Sequence, residues 1–168
     1  MPAGLKQSSS LVSIGFSVSE SAANTFTQGS IDLNLSPLDR EVFVVLAVNI
    51  DPESPEMLDG INTAVNTSLT TTSQTDVSNL GNANCLSVAN ERIRADAGVA
   101  VSFTTASLES PPSTLEYIGI IATNDFFVQV KGTNNTILKG CSGKVYGYRA
   151  TATADIFAAL VQSEVLSA

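Results

Sequence analysis

The chain of 168 residues contains no histidine and no tryptophan, and no long apolar run. Without histidine, neither a Ser-His-Asp nor a Cys-His catalytic set can form within the chain, and histidine-ligated zinc or haem is excluded. No segment approaches about 20 consecutive apolar residues, so no transmembrane helix or membrane insertion is predicted. The N-terminus lacks a basic segment followed by an apolar core, so no secretory signal is predicted. We predict a protein that is not an enzyme and needs no cofactor.

Charge is also scarce: charged side chains make up 14% of the sequence, against about 25% in an average soluble domain. Ser, Thr and Asn together number 49, so most of the polar surface is neutral. Neutral polar groups cost less to desolvate than charges when two surfaces meet. The composition therefore favours a protein whose faces contact other proteins. A secreted β protein with a Ser- and Thr-rich solvent surface is the alternative.

The few charges and the two cysteines also limit the choice of partner. The net charge is −8 and the basic residues are scattered, so no direct nucleic-acid binding is expected. Cys85 and Cys141 lie too far apart in sequence for a metal-binding pair. Two separate buried thiols are favoured over a disulfide because free cysteine behaves as a small hydrophobe.

Most of the chain consists of short apolar–polar alternations separated by turn clusters, which is typical of strands. Residues 41–50 are apolar on both faces and predict a central strand. The dipeptide Asn124-Asp125 predicts a hairpin between strands at 115–122 and 126–131, and a further short strand is predicted to start at Ile137. The tail changes to a helical period with Thr153 or Asp155 as cap; its predicted face consists of Ile156, Phe157, Leu160, Val161 and Val165.

Eight to ten strands at this spacing indicate an all-β fold, either an antiparallel β-sandwich or a barrel, with a short C-terminal helix. We predict an N-terminal arm at residues 1–10 and one sandwich domain at residues 11–168.

An acidic loop at residues 51–59 is the only candidate metal site. Its carboxylates are hard oxygen ligands of the kind calcium prefers, but they lack the spacing of a known calcium loop. A solvated acidic loop is the default interpretation. The candidate ligands are Asp51, Glu53, Glu56 and Asp59.

Late aromatic residues and the apolar face of the tail are the candidate subunit contacts. The aromatics are assigned to adjacent strands, where they suit either a sandwich core or an anchor patch for a neighbouring subunit. The candidates are Phe126, Phe127, Tyr146, Tyr148, Ile156, Phe157, Leu160 and Val161.

These parts together resemble the small jelly-roll capsid or coat proteins of icosahedral viruses. The resemblance rests on the Ser-rich N-terminal arm without a basic run, the many short strands, the long loop containing Pro52 and Pro55, and the apolar segment 156–161. It implies a single jelly-roll β-sandwich and a self-assembling structural subunit of the virion, in contact with copies of itself and with other shell proteins. The chain departs from many such proteins in having no basic arm, which implies that something else neutralises the genome charge.

Two other functions remain open at this point. The chain could be an extracellular filament or pilus-like subunit at the cell surface, with residues 10–19 donated as a strand to a neighbour. It could also be a carbohydrate-binding β-sandwich module, although few aromatic residues are present to line a sugar site.

Overall fold

The computed structural model describes residues 2–109 and 114–167, with the backbone alone at 107–109. It contains eleven strands and one helix in these residues. In chain order they are β1 (Leu5–Gln7), β2 (Val12–Ser19), β3 (Thr27–Asp32), β4 (Glu41–Pro52), β5 (Thr63–Thr70), β6 (Cys85–Asp96), β7 (Val99–Thr105), β8 (Ser107–Glu109), β9 (Gly119–Ile121), β10 (Asp125–Thr133), β11 (Gly140–Ala152) and α1 (Ala154–Leu166).

The strands form two antiparallel sheets that face each other. In the first sheet, β11 lies between β4 on one side and β1 and β2 on the other, and β4 also pairs with β8 and β9. The second sheet has the order β3-β10-β5-β6-β7. The predicted all-β sandwich with a C-terminal helix is therefore confirmed.

The pairing is nested from the chain ends inward, and this gives the jelly-roll topology. Strand β2 pairs with β11, β3 with β10, β4 with β9, and β5 with β6. Such a chain behaves as one long hairpin rolled into two sheets. Strand β7 extends the second sheet as an additional edge strand through a turn at Gly98, whose φ of +73° lies in the left-handed region.

Three local predictions were wrong. Strands β9 and β10 do not form a hairpin, because β9 belongs to the first sheet and β10 to the second. Ile137 lies in a connection rather than in a strand, since β11 begins at Gly140. Asp51 lies within a strand rather than beginning a loop, because β4 continues to Pro52.

The main hydrophobic core lies between the sheets. Apolar residues at alternate positions of both sheets meet there, as the period-2 patterns predict. Phe16 and Phe126 pack edge-to-face with ring centroids 6.1 Å apart at 75°. Val65 and Leu69 of β5 are completely buried in the same cluster.

A second apolar cluster lies between the helix and the outer face of the first sheet. The sheet contributes Val42 and Val44, and α1 contributes Phe157, Leu160 and Val161. The predicted helical face is correct for those three residues. It is wrong for Ile156 and Val165, which are 37% and 61% exposed. Thr153 is the N-cap residue, as predicted, although its side chain makes no capping hydrogen bond.

The predicted N-terminal arm contains a short strand, and the two cysteines lie apart. Within the predicted N-terminal arm, β1 pairs with β11 and the side chain of Leu5 is buried. Cys85 and Cys141 do not form a disulfide, in agreement with the prediction of separate thiols. Burial raises the pKa of the Cys141 thiol to about 12, so this thiol stays protonated at neutral pH.

Candidate assembly surface

Four connections meet at one end of the sandwich, where β2, β4, β6 and β10 end. They comprise residues 20–26, 53–62, 97–98 and 134–139. Hydrogen bonds from acidic and amide side chains join each of them to a neighbour. This end is therefore an ordered surface built from segments distant in sequence.

Glu20 joins the first connection to the last. Its side chain is 3% exposed, and its two carboxylate oxygens accept hydrogen bonds from the backbone N–H groups of Gly132 (2.5 Å) and Lys139 (2.9 Å). Asn24 adds a reciprocal pair: its amide donates to the Asn135 carbonyl (2.9 Å), and the Asn135 N–H donates to Asn24 Oδ1 (2.8 Å). Buried polar groups with partners on both sides hold a loop in one conformation.

Glu56 joins the second connection to the last. Its carboxylate accepts hydrogen bonds from the N–H and the hydroxyl of Thr136, and its own N–H donates to Asn135 Oδ1 at 3.1 Å. The backbone hydrogen bond from Thr136 is the main reason why the pKa of Glu56 lies below its ordinary value, and the Thr136 hydroxyl adds to it. Nearby, Glu53 accepts a hydrogen bond from the Gly140 N–H at 3.0 Å.

The turn between β6 and β7 is attached to the second connection. The N–H of Gly98 donates to Asp59 Oδ1 at 3.2 Å, and the N–H of Ala95 donates to Asn62 Oδ1 at 3.0 Å. All four connections are thus linked through side chains that accept from backbone donors.

Apolar side chains project from these ordered connections. They lie on the two connections that the contact between Glu56 and Thr136 joins, and we call them the apolar loop end. They are Met57, Ile61, Ile137 and Leu138, with exposed fractions of 73%, 43%, 59% and 47%. Exposed apolar groups gathered on ordered loops are characteristic of contact surfaces, which makes these four residues the candidate assembly surface.

The four predicted calcium ligands do not come together. Glu53, Glu56 and Asp59 each accept hydrogen bonds from backbone donors at separate places, and Asp51 lies exposed in β4. No three acidic or cysteine side chains in residues 2–109 and 114–167 are placed to hold a metal ion. The carboxylates hold the loops together, which is a role the sequence analysis did not assign to them.

The four predicted aromatic anchors do not form one patch, because their strands lie in different sheets. Phe126 is fully buried in the main core and is not accessible to a partner. Phe127 is half-buried; its register partners Thr70 and Ser30 place it on the outer face of the second sheet. The other two, Tyr146 and Tyr148, are half-buried in β11 of the first sheet.

The predicted contacts in the tail are used within the molecule. Phe157, Leu160 and Val161 pack against the chain's own first sheet, together with Tyr148. Only Ile156, at the edge of this contact, is exposed. The helix therefore covers part of a sheet face instead of presenting an apolar face to a neighbour.

The apolar loop end was missed by the sequence analysis. Ile137 and Leu138 were assigned to a strand, and Met57 lies in a segment that was judged by its acidic residues alone. The signal that could have found them is a pair of large apolar residues one position after the turn residues Gly132-Thr-Asn-Asn135. Such a position is more often exposed than a strand interior.

Comparison with known proteins gives no family assignment. No protein-family model matches the chain, and no curated protein matches it. A solved structure described as Desmodium yellow mottle tymovirus aligns over 92% of this chain and 95% of that chain, with 13% sequence identity and a TM-score of 0.33. At that TM-score the likeness carries no argument about this protein.

The described part of the chain has no helix that is both long enough and apolar enough to cross a membrane.

Proposed function

We propose that this protein is a structural subunit that assembles with copies of itself, in the form of a viral coat protein that builds a shell. The observation that carries the proposal is the apolar loop end, whose four apolar side chains are exposed. The connections that bear them are held in place by hydrogen bonds to the carboxylates of Glu20 and Glu56. We place the protein in the virion, in contact with copies of itself and with other shell proteins. Its role is mechanical rather than catalytic.

The fold supports this proposal without deciding it. Double-sheet jelly rolls occur in viral capsid proteins, but they also occur in lectins and cupins, so the function has to be argued from a surface. The neutral composition supports contact on several sides, because 49 Ser, Thr and Asn residues outnumber all charged residues. Neutral surfaces can be covered by neighbours at a lower desolvation cost than charged ones.

The position of the apolar loop end favours contacts around a symmetry axis. The surface occupies one end of the sandwich, so copies can meet at that end around a common axis. A contact that repeats by rotation closes into a ring when the angle permits. Rings of this kind are the units from which a closed shell is built.

The alternative of assembly by strand donation has less support. Strand β2, which falls within the segment proposed as donor, pairs with β11 over eight register positions. The inward residues Ile14, Phe16 and Val18 lie in or against the main core. Donating this segment to a neighbour would first require opening the chain's own sheet.

The test replaces apolar side chains of the loop end and compares particle formation. The double variant Ile137→Ser, Leu138→Ser keeps every clamping hydrogen bond in place and removes the two exposed apolar groups. We expect the wild-type protein to form large assemblies in electron microscopy and mass photometry, and the double variant to remain small under the same conditions.

The matched control is Leu38→Ser, because Leu38 is 95% exposed in the connection between β3 and β4 at the opposite end. It should assemble as the wild type does. A wild-type protein that stays monomeric at high concentration, at every pH and with or without calcium, would contradict the proposal. Equal assembly of the double variant and the control would contradict the assignment of the surface.

A further inference from the structure

A groove on the outer face of the second sheet adjoins the assembly end, but none of the four residues of the apolar loop end lines it. Register places one row of residues across four strands on this face, with Thr133 opposite Ala64, Ala64 opposite Arg92, and Arg92 opposite Phe103. The small side chain of Ala64 forms the floor between larger neighbours. The resulting open cavity has a volume of about 710 Å³, which is within the range of small-molecule sites.

Two arginines on this face have no ion-pair partner among the side chains that the structure describes. Arg92 and Arg94 are exposed and alternate on β6, so they project on the same side with Cα atoms about 7 Å apart. Neither guanidinium forms a hydrogen bond or an ion pair with the side chains of residues 2–106 and 114–167 or with the described backbone. In contrast, Arg149 and Lys131 each pair with an acid.

That contrast is informative in a chain with 16 acids and 8 bases. Asp96 lies on the same face of β6 as Arg94, and Asp76 lines an adjoining cavity with Arg92. Neither carboxylate forms an ion pair with these arginines, since Asp76 pairs with Lys131 instead. Two neighbouring guanidinium groups repel each other, and a bound carboxylate would relieve that repulsion while accepting paired hydrogen bonds. The charge of the groove therefore fits an anionic ligand.

The rest of the lining indicates which kind of anion fits. The ring of Phe103 is 53% exposed beside Arg92 and offers an apolar surface to the C–H face of a ring. Thr133 and Asn62 line the same cavity and supply a hydroxyl and an amide for neutral hydroxyl groups. A small inorganic anion would use the arginines alone and leave these groups without a role.

We propose that this groove binds a sugar that carries a carboxylate, with Arg92 and Arg94 on the carboxylate and Phe103 against the sugar ring. The sugar can be a terminal residue of a glycan or a free sugar acid, since the recognising chemistry is the same. The proposal goes beyond assembly, and it uses residues other than those of the apolar loop end. A protein that does not bind sugar acids could therefore still assemble through the apolar loop end, and the reverse also holds.

The test measures binding of soluble sugars by ligand-observed NMR and calorimetry. The probes are N-acetylneuraminic acid and glucuronic acid, with glucose and N-acetylglucosamine as neutral sugars and inorganic phosphate as a plain anion. We expect the sugar acids to bind. The neutral sugars lack the carboxylate and phosphate lacks the sugar ring, so each should bind at least about tenfold more weakly. A glycan array then separates terminal glycan residues from free sugar acids.

Arg92→Gln and Arg94→Gln each should weaken binding of the sugar acids by about tenfold or more. Lys6→Gln is the control, since it removes one positive charge from an exposed position on β1 and should leave binding unchanged. Phe103→Ser should weaken binding of the sugar acids but not that of phosphate, and Phe103→Tyr should restore it. All these positions are exposed, and an unchanged thermal midpoint confirms folding.

Three outcomes would overturn the proposal. One is the absence of sugar-acid binding by the folded wild-type protein. Another is equal binding of phosphate and sugar acids, which would make the groove a general anion site. The third is a change of oligomeric state in the arginine variants with no change in sugar binding, which would assign the arginines to an acidic surface of a second copy.

Discussion

Two glycines of β11 explain how two large aromatic rings fit between closely paired strands. Phe16 packs over Gly143, and Phe43 packs over Gly147. A Cβ at Gly143 would overlap the carbonyl oxygen of Asn49 and lie 2.6 Å from Phe16 Cζ. These glycines are required by close approach of neighbouring backbone and ring atoms rather than by a positive φ.

The first residue-scale prediction is that Gly143→Ala strongly destabilises the fold. The added methyl group meets a backbone carbonyl, which cannot turn aside as the end of a flexible side chain can. We expect a loss near the upper end of the usual overpacking range of about 1–3 kcal/mol, measured by denaturant unfolding. The control is Gly15→Ala on the neighbouring strand, where the nearest atom to the new Cβ is 3.9 Å away. A similar loss in both variants would refute this explanation.

At the scale of single residues, the sequence predicts which side chains are buried better than what the polar ones bind. Val12, Ile14, Phe16 and Val18 alternate and face inward because a strand turns every second side chain to the same face. The partners of Glu20 and Glu56 lie more than 70 residues away along the chain. No local pattern encodes such contacts, so the acidic loop was interpreted through its charge alone.

At the scale of elements, the C-terminal helix shows the same division. Its apolar period correctly predicts a helix with Phe157, Leu160 and Val161 on one face. Glu164 lies near the C-terminus of the helix, where an acid is unfavourable for the helix dipole. Its carboxylate instead is 7% exposed and accepts hydrogen bonds from the N–H groups of Ala122 (2.8 Å) and Thr123 (3.0 Å).

The prediction for this element is that Glu164→Gln loosens the helix from the sheet. Glutamine keeps one acceptor oxygen but places an amide group opposite a backbone donor, which costs about 1–3 kcal/mol at a buried site. Hydrogen exchange should then show faster exchange at Ala122 and Thr123. Asp155→Asn is the control, because it removes the same charge from an exposed position in the first turn of the helix. Unchanged protection of both amides in Glu164→Gln would show that the Glu164 carboxylate does not hold the helix to the sheet.

Connections between elements were less predictable than the elements themselves. The segment at Asn124-Asp125 has the composition of a hairpin turn, yet it carries the chain from the first sheet to the second. A tight turn between two apolar segments has the same local sequence preferences whether it joins neighbouring strands of one sheet or strands of two different sheets. The choice is made by the nested pairing of β2 with β11 and β3 with β10, which involves strands more than 90 residues apart in sequence.

At the scale of the whole molecule, the nested topology brings functional surfaces together from distant segments. The ends of β2, β4, β6 and β10 meet at one end of the sandwich, so residues of the apolar loop end come from two separate connections. The composition predicted a protein covered by neighbours, but only the topology identifies which end offers apolar contacts. The same topology leaves the groove at Arg92 and Arg94, on the outer face of the second sheet, accessible to solvent.

If the protein assembles through the loop end as proposed, we expect assembly to be sensitive to acid through Glu56. Its pKa is lowered in the folded protein, so its contribution is fully present above the ordinary value of 4.5 and is lost as the pH falls through the lower folded value. Glu56→Gln should be less stable than the wild type at neutral pH, and the difference should shrink as the pH falls below 4.5. Assembly should weaken over the same interval, because the clamp on Thr136 holds Met57 and Ile137 in position.

Unfolding midpoints and particle counts, taken from pH 7 down to pH 3 for both proteins, measure this effect. The control is Asp51→Asn, which removes an acid from an exposed site in β4 whose side chain makes no hydrogen bond in the described residues. It should follow the wild type at every pH. A difference in unfolding midpoint between wild type and Glu56→Gln that stays constant over the whole pH range would contradict this prediction. Any response to acid would then arise from other groups, and the hydrogen bonds of Glu56 would stabilise the loops independently of its charge.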